Sequence, residues 1–411
     1  MGATQAVEAI RWCRELAACS EVRGTTTRTF LSSPMRDVHA RLEAWMRHAG
    51  MDTYIDHAGN LRGLYPGATA GCPRLLIGSH LDTVVDAGPF DGVLGVVIAI
   101  TLVDLLGGKR LPFGIEVVGF SDEEGVRFGV PFIGSRALIG TLDRELLDRR
   151  DAEGRSVADV IRDYGLDPSG IDGVSLQDAN GCVGYLEFHI EQGPVLDRLG
   201  RSLAVVDTIV GQSRLLLTFR GAANHAGTTP MAMRRDALAC AAEWIVAAEA
   251  MAADTKDLVA TVGRINARPG VTNAIAGTCE ASLDVRHAND AIRTAAVSAL
   301  VDRARQIAGR RGIDLQCESR LDQKSVAMDG TLTALMAQAI ESSGAPVVHM
   351  ASGAGHDAMV MARCVPAAML FIRSPGGISH HPDEDVREED VAAALDAGES
   401  WLTLLARSRS W

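Results

Sequence analysis

Apolar positions change their period along the chain, and each change marks an element. From Ala6 to Cys19, and again from Met35 to Ala49, they recur at three- and four-residue spacing. That spacing predicts two amphipathic helices, the second stopping at Gly50. Pro73–Ser79, Gly114–Ser121 and Val183–Ile190 are short apolar runs of the kind that form buried strands. Between the first two lies Val93–Leu106, read as a wholly apolar helix closed by Gly107 and Gly108. It contains Thr101 and Asp104 and falls short of the ~20 residues needed to cross a bilayer, so it is expected inside a core. Strand–helix–strand order of this kind predicts an α/β layered sheet with helices on both faces.

The pattern changes character between about 205 and 325. Ser213–Arg220, Leu258–Asn266 and Cys279–Arg286 read as strands, and Pro230–Ala252 and Ala291–Arg310 as long helices. The first of these helices is expected to begin at its proline, a residue that helix starts favour. Two long helices against a few antiparallel strands make a self-contained α+β unit. After about 325 the first pattern resumes, with a helix over 331–343, a Gly-rich loop over 352–355, a strand over 366–373 and a helix over 387–406. The expectation is therefore two domains: an α/β domain built from 1–208 and 325–411, interrupted by a smaller α+β domain over 209–324. A length of 411 residues agrees with more than one core.

Charge narrows the partners. With 40 Lys and Arg against 52 Asp and Glu, the net charge is −12. A surface of that sign repels phosphate backbones and anionic membranes, so neither nucleic acid nor membrane is expected as a partner. The first helix carries Glu8, Arg11, Arg14 and Glu15 and does not read as a signal peptide. The eight cysteines are scattered without a C-x-x-C pair, which reads as reduced thiols in a cytoplasmic protein.

Candidate chemistry gathers at the ends of the expected strands. His80 and Asp82 follow the first strand, and residues two apart on an extended chain face the same side. Asp82 can therefore orient the His80 ring, as carboxylates do for metal-bound histidines. Asp91 stands just before the apolar helix, where a carboxylate either caps the helix or binds a cation. Asp122, Glu123 and Glu124 follow the second strand. Three adjacent acids at a sheet edge repel one another unless a cation compensates them. One of two neighbouring carboxylates can bind metal while the other activates water. His189 ends the third strand, and His380 and His381 follow the last. Nitrogen and oxygen donors without cysteine suit Zn, Mn, Co or Ni.

These residues, in this order, resemble the two-metal M20 metallopeptidase superfamily. Longer strings narrow the likeness: Glu123–Phe128, His189–Pro194, His225–Met231, Ser352–Ala358 and Gly377–Pro382. They are similar to its ureido amidohydrolase branch, which holds allantoate amidohydrolases, N-carbamoyl-L-amino acid hydrolases and β-ureidopropionases. The likeness runs from about residue 25 to the C-terminus. It implies a metal-dependent hydrolase of carbamoyl C–N bonds in a carboxylate-bearing substrate, releasing ammonia and CO2. It implies two divalent ions, one held by His80, His189 and Asp91, and a second shared through Asp91 with Glu124 and His380. Glu123 becomes the general base, Asp82 the residue that orients His80, and His381 a bystander.

The same resemblance assigns the substrate side to the inserted domain, read as a lid and dimerisation unit. Asn273 and Arg286 bind the substrate, and a guanidinium grips a carboxylate at two points. His225 stabilises the developing oxyanion. Gln192, Gly353 and Gly355 complete the pocket, while His356 and Asp357 brace its loop. In relatives these inserted-domain residues can come from a partner subunit, which implies a homodimer. Ala276 departs from the family, where many members carry proline, and removes no donor. The string Phe371–His380 is closer to allantoate amidohydrolases than to carbamoylases. The alternatives are an N-acyl amino acid deacylase, a dipeptidase, or a catalytically silent binding protein on the same fold.

Overall fold

The computed structural model describes residues 2–176 and 181–408. It divides into two compact units, Met1–Asp207 with Met328–Trp411, and Thr208–Ala327. The first holds most of a mixed nine-stranded sheet. Four adjacent strands form its centre, in the order Gly114–Phe120, Arg74–His80, Cys182–Ile190 and Ala367–Ile372, and all four are parallel. Antiparallel strands flank them, Leu61–Tyr65 beside Gly114–Phe120 and Leu203–Ile209 beside Ala367–Ile372. The central strands are buried along nearly their whole length, as expected for strands covered on both faces.

Helix Val93–Leu105 explains its unbroken hydrophobicity by its place. Val93 to Val103 are all buried, and it packs on three of the central strands. Gly95 allows the close approach, since a Cβ there would collide with the Phe188 carbonyl. Fully burying each Val, Leu or Ile of this helix contributes roughly 1.5–3 kcal/mol. The chain's two ends close the same layer, with Gly2–Ala17 packed against Glu388–Arg407.

The second unit is an antiparallel five-stranded sheet in the order Asp314–Gln323, Gly211–Arg220, Thr278–His287, Val259–Thr261, with Ile265–Arg268 also paired to Thr278–His287. Burial alternates strictly along Thr278–His287, so one face is apolar. Helices Ala237–Ala253 and Asp290–Arg310 cover that face with Cys240, Trp244, Leu300, Ala304 and Ile307. The Trp244 indole N–H donates to the Leu300 carbonyl at 3.0 Å, joining the two helices.

The elements expected from the sequence keep their helix or strand class, with two local corrections to their bounds. The helix expected from Pro230 starts at Ala237, because Asp236 caps it by accepting from the Ala239 amide. Met231–Met233 form only a short 3-10 turn. The strand expected over Leu258–Asn266 is two pieces, Val259–Thr261 and Ile265–Arg268.

Candidate metal centre

The carboxyl ends of the four parallel strands converge on one spot, where open α/β sheets place their sites. His80 ends its strand, His189 is the penultimate residue of the next, Glu123 and Glu124 follow the third, and His380 lies in the loop after the last. Asp91 arrives from the loop that opens the apolar helix. That helix has no side-chain cap, so the Asp91 carboxylate is free for the centre.

Asp91 is the hub. His189 Nε2 lies 3.2 Å and His80 Nε2 3.7 Å from its Oδ1, while His380 Nε2 lies 3.1 Å from its Oδ2. Glu124 Oε1 is 3.3 Å from His380 Nε2. Ligand atoms of His80, Asp91 and His189 form one mutually close group, and those of Asp91, Glu124 and His380 another. His80, Glu123 and Glu124 form a third group, and Glu187, His189 and His356 a fourth.

The donor chemistry fits a cation. His189 Nδ1 donates to the Ile190 carbonyl at 2.9 Å, and His80 Nδ1 donates to the Asp82 carbonyl at 2.9 Å. Both rings therefore turn Nε2 toward the hub, and the two Nε2 atoms stand 3.4 Å apart. Burial holds His189 down to about 4, so its Nε2 is a lone pair near neutral pH. A lone pair, a second imidazole nitrogen and a carboxylate facing one another need a positive charge between them. The environment supplies the matching field. Burial alone would raise Asp91, but His380, His80 and His189 hold it well below the usual carboxylate range. Asp91 and Glu124 push His380 up to about 10, so cationic charge is stabilised at that position too.

Glu123 is buried and belongs to the third group only. Burial pushes it well above the ordinary carboxylate range, Glu124 adds to the shift and His80 opposes it. The Asp82 carboxylate accepts the Glu123 amide at 2.9 Å and the Glu124 amide at 3.1 Å. Asp82 Oδ1 lies 3.5 Å from His80 Nδ1, so its side chain spans the His80 strand and the Glu123–Glu124 loop.

Gln192 adopts a positive φ of 56° and points its amide nitrogen at both Asp91 oxygens, 3.2 and 3.0 Å away. His356 is buried, its ring 4.3 Å from that of His189, and it bonds Ser352 Oγ at 2.9 Å. Gly353 and Gly355 are exposed on the same loop, and His381 is exposed beside His380. Asp357 is buried at the start of the short helix Asp357–Met361. Glu384 was not singled out as a site residue. It is buried and touches the backbone of Asp91.

In the second unit, His225 and Asn273 are brought together. His225 bridges to Ala274, and the Ala226 amide donates to the Asn273 carbonyl at 2.9 Å. Both side chains are exposed. Arg286 does not join them. It lies eight residues along from Thr278 on strand Thr278–His287, about 27 Å by strand rise, near the opposite end of the sheet. There its Nε and Nη2 donate to the two oxygens of Asp284, at 2.9 and 3.1 Å.

The chain is similar to known proteins over most of its length. A family model described as peptidase family M20/M25/M40 matches residues 76–403. Allantoate deiminase 2 of Glycine max is 38% identical over 97% of this chain and 89% of its own length. An N-carbamoyl-L-amino acid amidohydrolase of Geobacillus stearothermophilus is 37% identical over 91% of each. Among solved structures, an amidase of the hydantoinase/carbamoylase family from Burkholderia multivorans superposes with a TM-score of 0.91 at 28% identity, covering 98% of both chains.

Proposed function

We propose that this chain, which belongs to peptidase family M20/M25/M40, is a metal-dependent amidohydrolase that cleaves the carbamoyl C–N bond of a ureido acid. The observation that carries the reading is the meeting of three histidines and Glu124 around Asp91, with the proton-avid Glu123 beside them. His80, His189 and Asp91 would hold one divalent ion, and Asp91, Glu124 and His380 a second. Such ions, when bound, polarise a carbonyl oxygen and lower the pKa of water. Zn, Mn, Co and Ni all suit these donors.

The rest falls to the chain's own side chains. Glu123 takes a proton from the attacking water and delivers it to the leaving nitrogen. A buried carboxylate with raised proton affinity does both near neutral pH. Asp82 keeps the base and the His80 strand in register through the Glu123 and Glu124 amides. Gln192, Gly353 and Gly355 line the pocket. Products are ammonia, CO2 and the remaining amino or ureido acid.

On the substrate side, His225 stabilises the developing oxyanion, Asn273 binds the ureido group and Arg286 grips the carboxylate. The separation of Arg286 from the His225–Asn273 pair along the strand supports a pocket that draws on two chains. The unit 208–327 then serves as the dimerisation and substrate unit of a homodimer. A cytoplasmic location fits its eight cysteines, none of them in a disulfide. Among the described residues no helix is long and apolar enough to cross a membrane.

Allantoate stands first among substrates, supported by the string Phe371–His380 and by the relative from Glycine max. N-carbamoyl-L-amino acids stand second. Ammonia release by the metal-reconstituted protein, measured on allantoate, N-carbamoyl-L-amino acids, N-acyl amino acids and dipeptides, decides. Release from either ureido class supports the proposal; turnover of dipeptides or N-acyl amino acids alone rejects it.

A further inference from the structure

Glu384 is a carboxylate with only 3% exposure that neither metal group includes. Its Oε1 accepts the amides of Phe90 at 2.9 Å and Asp91 at 3.0 Å. Its Oε2 accepts the Ser379 hydroxyl at 3.0 Å, and that hydroxyl lies 3.4 Å from Asp91 Oδ2. Glu384 thus holds the main chain of Asp91 with one oxygen and the residue next to His380 with the other. These anchors come from loops nearly 300 positions apart in sequence, the Phe90 contact spanning 294.

The facing loop is shaped for this side chain. A Cβ on Gly88 would run into Glu384, 2.6 Å from Oε1 and 2.7 Å from Cδ. The space that a side chain at position 88 would need is filled by the carboxylate. The Glu384 amide also donates to the His381 carbonyl at 3.0 Å, so the loop that carries His380 is closed on itself around the same residue.

We infer that Glu384 is a positioning residue that sets the distance between Asp91 and His380, and so the spacing of the two halves of the metal centre. It touches neither substrate nor metal and acts through Asp91 and Ser379. The inference rests on the reading that Asp91 and His380 hold metal. Partners that orient ligands in this way typically change metal affinity by roughly 10- to 100-fold when removed.

The test is Co²⁺ titration of chelator-treated protein, followed by calorimetry and by the visible d–d absorption of bound cobalt, beside circular dichroism as a fold check. Glu384→Ala and Gly88→Ala should each weaken cobalt binding at least ~10-fold and change the band shape. Glu384→Gln keeps an oxygen for the two amides and should stay within about threefold of the parent protein. A folded Glu384→Ala protein with parental affinity and spectrum overturns the inference. So does a Glu384→Gln protein as weak as the alanine variant, since charge rather than position would then be at work. If Glu384→Ala does not fold, Gly88→Ala and Ser379→Ala decide, and parental cobalt binding in both overturns it. Asp91→Asn is the control that separates the two levels. If it keeps both ions, the metal-centre reading itself fails; if it loses ions while Glu384→Ala keeps them, only the positioning role fails.

Discussion

His225 bridges to the start of the Ala274–His287 segment, and Arg286 lies near its far end. Strand Thr278–His287 is straight in register against Gly211–Arg220 over its whole length, so no fold-back shortens the path. Eight residues at about 3.4 Å each give about 27 Å, several times the length of a small ureido acid. Two residues that far apart in one chain cannot grip one substrate, but in a two-fold dimer each can serve a different site. The perturbation is to mix inactive variants. His225→Ala with Asp91→Ala forms one mixed dimer, and Arg286→Ala with Asp91→Ala another. Whichever of His225 and Arg286 acts across the interface is rescued by an Asp91→Ala partner, because that partner still carries it. Random association makes half of the dimers mixed, and each mixed dimer rebuilds one of its two sites. Activity should then recover in one pairing, to about a quarter of the parent level before fractionation and about half once the mixed dimers are isolated, and stay near zero in the other. Ammonia release from allantoate, on mixed dimers purified through two different tags, reads this out. Recovery in both mixtures, or in neither, would contradict this arrangement, because either result places both residues in the same site from the same chain.

Glu123→Gln should retain bound metal and lose ~10² to 10⁴ in turnover, whereas Glu124→Gln should lose metal, as elemental analysis and rate measurement would show. Equal metal loss in both would undo that division. Gly92→Ala should fold and bind metal at least ~10-fold more weakly, because Gly92 has φ +70° and a Cβ there would collide with the His80 ring; metal titration checks it. Acid should destabilise the protein through His39, which burial, then Arg28 and Arg36, hold down to about 3. Its folded pKa lies below the unfolded value of ~6.5, so the unfolded chain binds the proton first. The stability it contributes is present above about 6.5 and is lost as pH falls toward 3, amounting to about 2 kcal/mol by pH 5. His39→Gln should flatten the fall of melting temperature between pH 7 and 5, and parallel curves for the two proteins would count against it.

Much of this centre was legible because it hangs on features with a strong period. The apolar runs before His80, Glu123 and His189 mark strands, and residues that directly follow buried strands must lie at a sheet edge. The all-apolar run after Asp91 could only be an inner helix, which placed Asp91 at its entrance. What stayed hidden depends on shape rather than period. Nothing in the letters Gly88 and Glu384 says that one fills the space beside the other. Asp236 outcompeted Pro230 as a helix start because a carboxylate accepting the Ala239 amide satisfies a donor that proline leaves unpaired. Strand Asp314–Gln323 was missed because it is a polar edge, with every position exposed or half-buried and no apolar face to signal it. The separation of Asn273 from Arg286 was equally out of reach: the resemblance assigns both to the substrate, and an extended strand lies between them.

The most direct test of a paired-metal ureido hydrolase is a metal titration read as rate. Chelator-treated protein receives Mn²⁺, Zn²⁺ or Co²⁺ in steps while ammonia release from allantoate and from an N-carbamoyl-L-amino acid is followed. At least one metal should restore release on one of these substrates, with the rate rising until about two equivalents per subunit are bound and then levelling. Release that is unaffected by chelation, or full occupancy of both groups of ligands with no ammonia from either substrate, would contradict it.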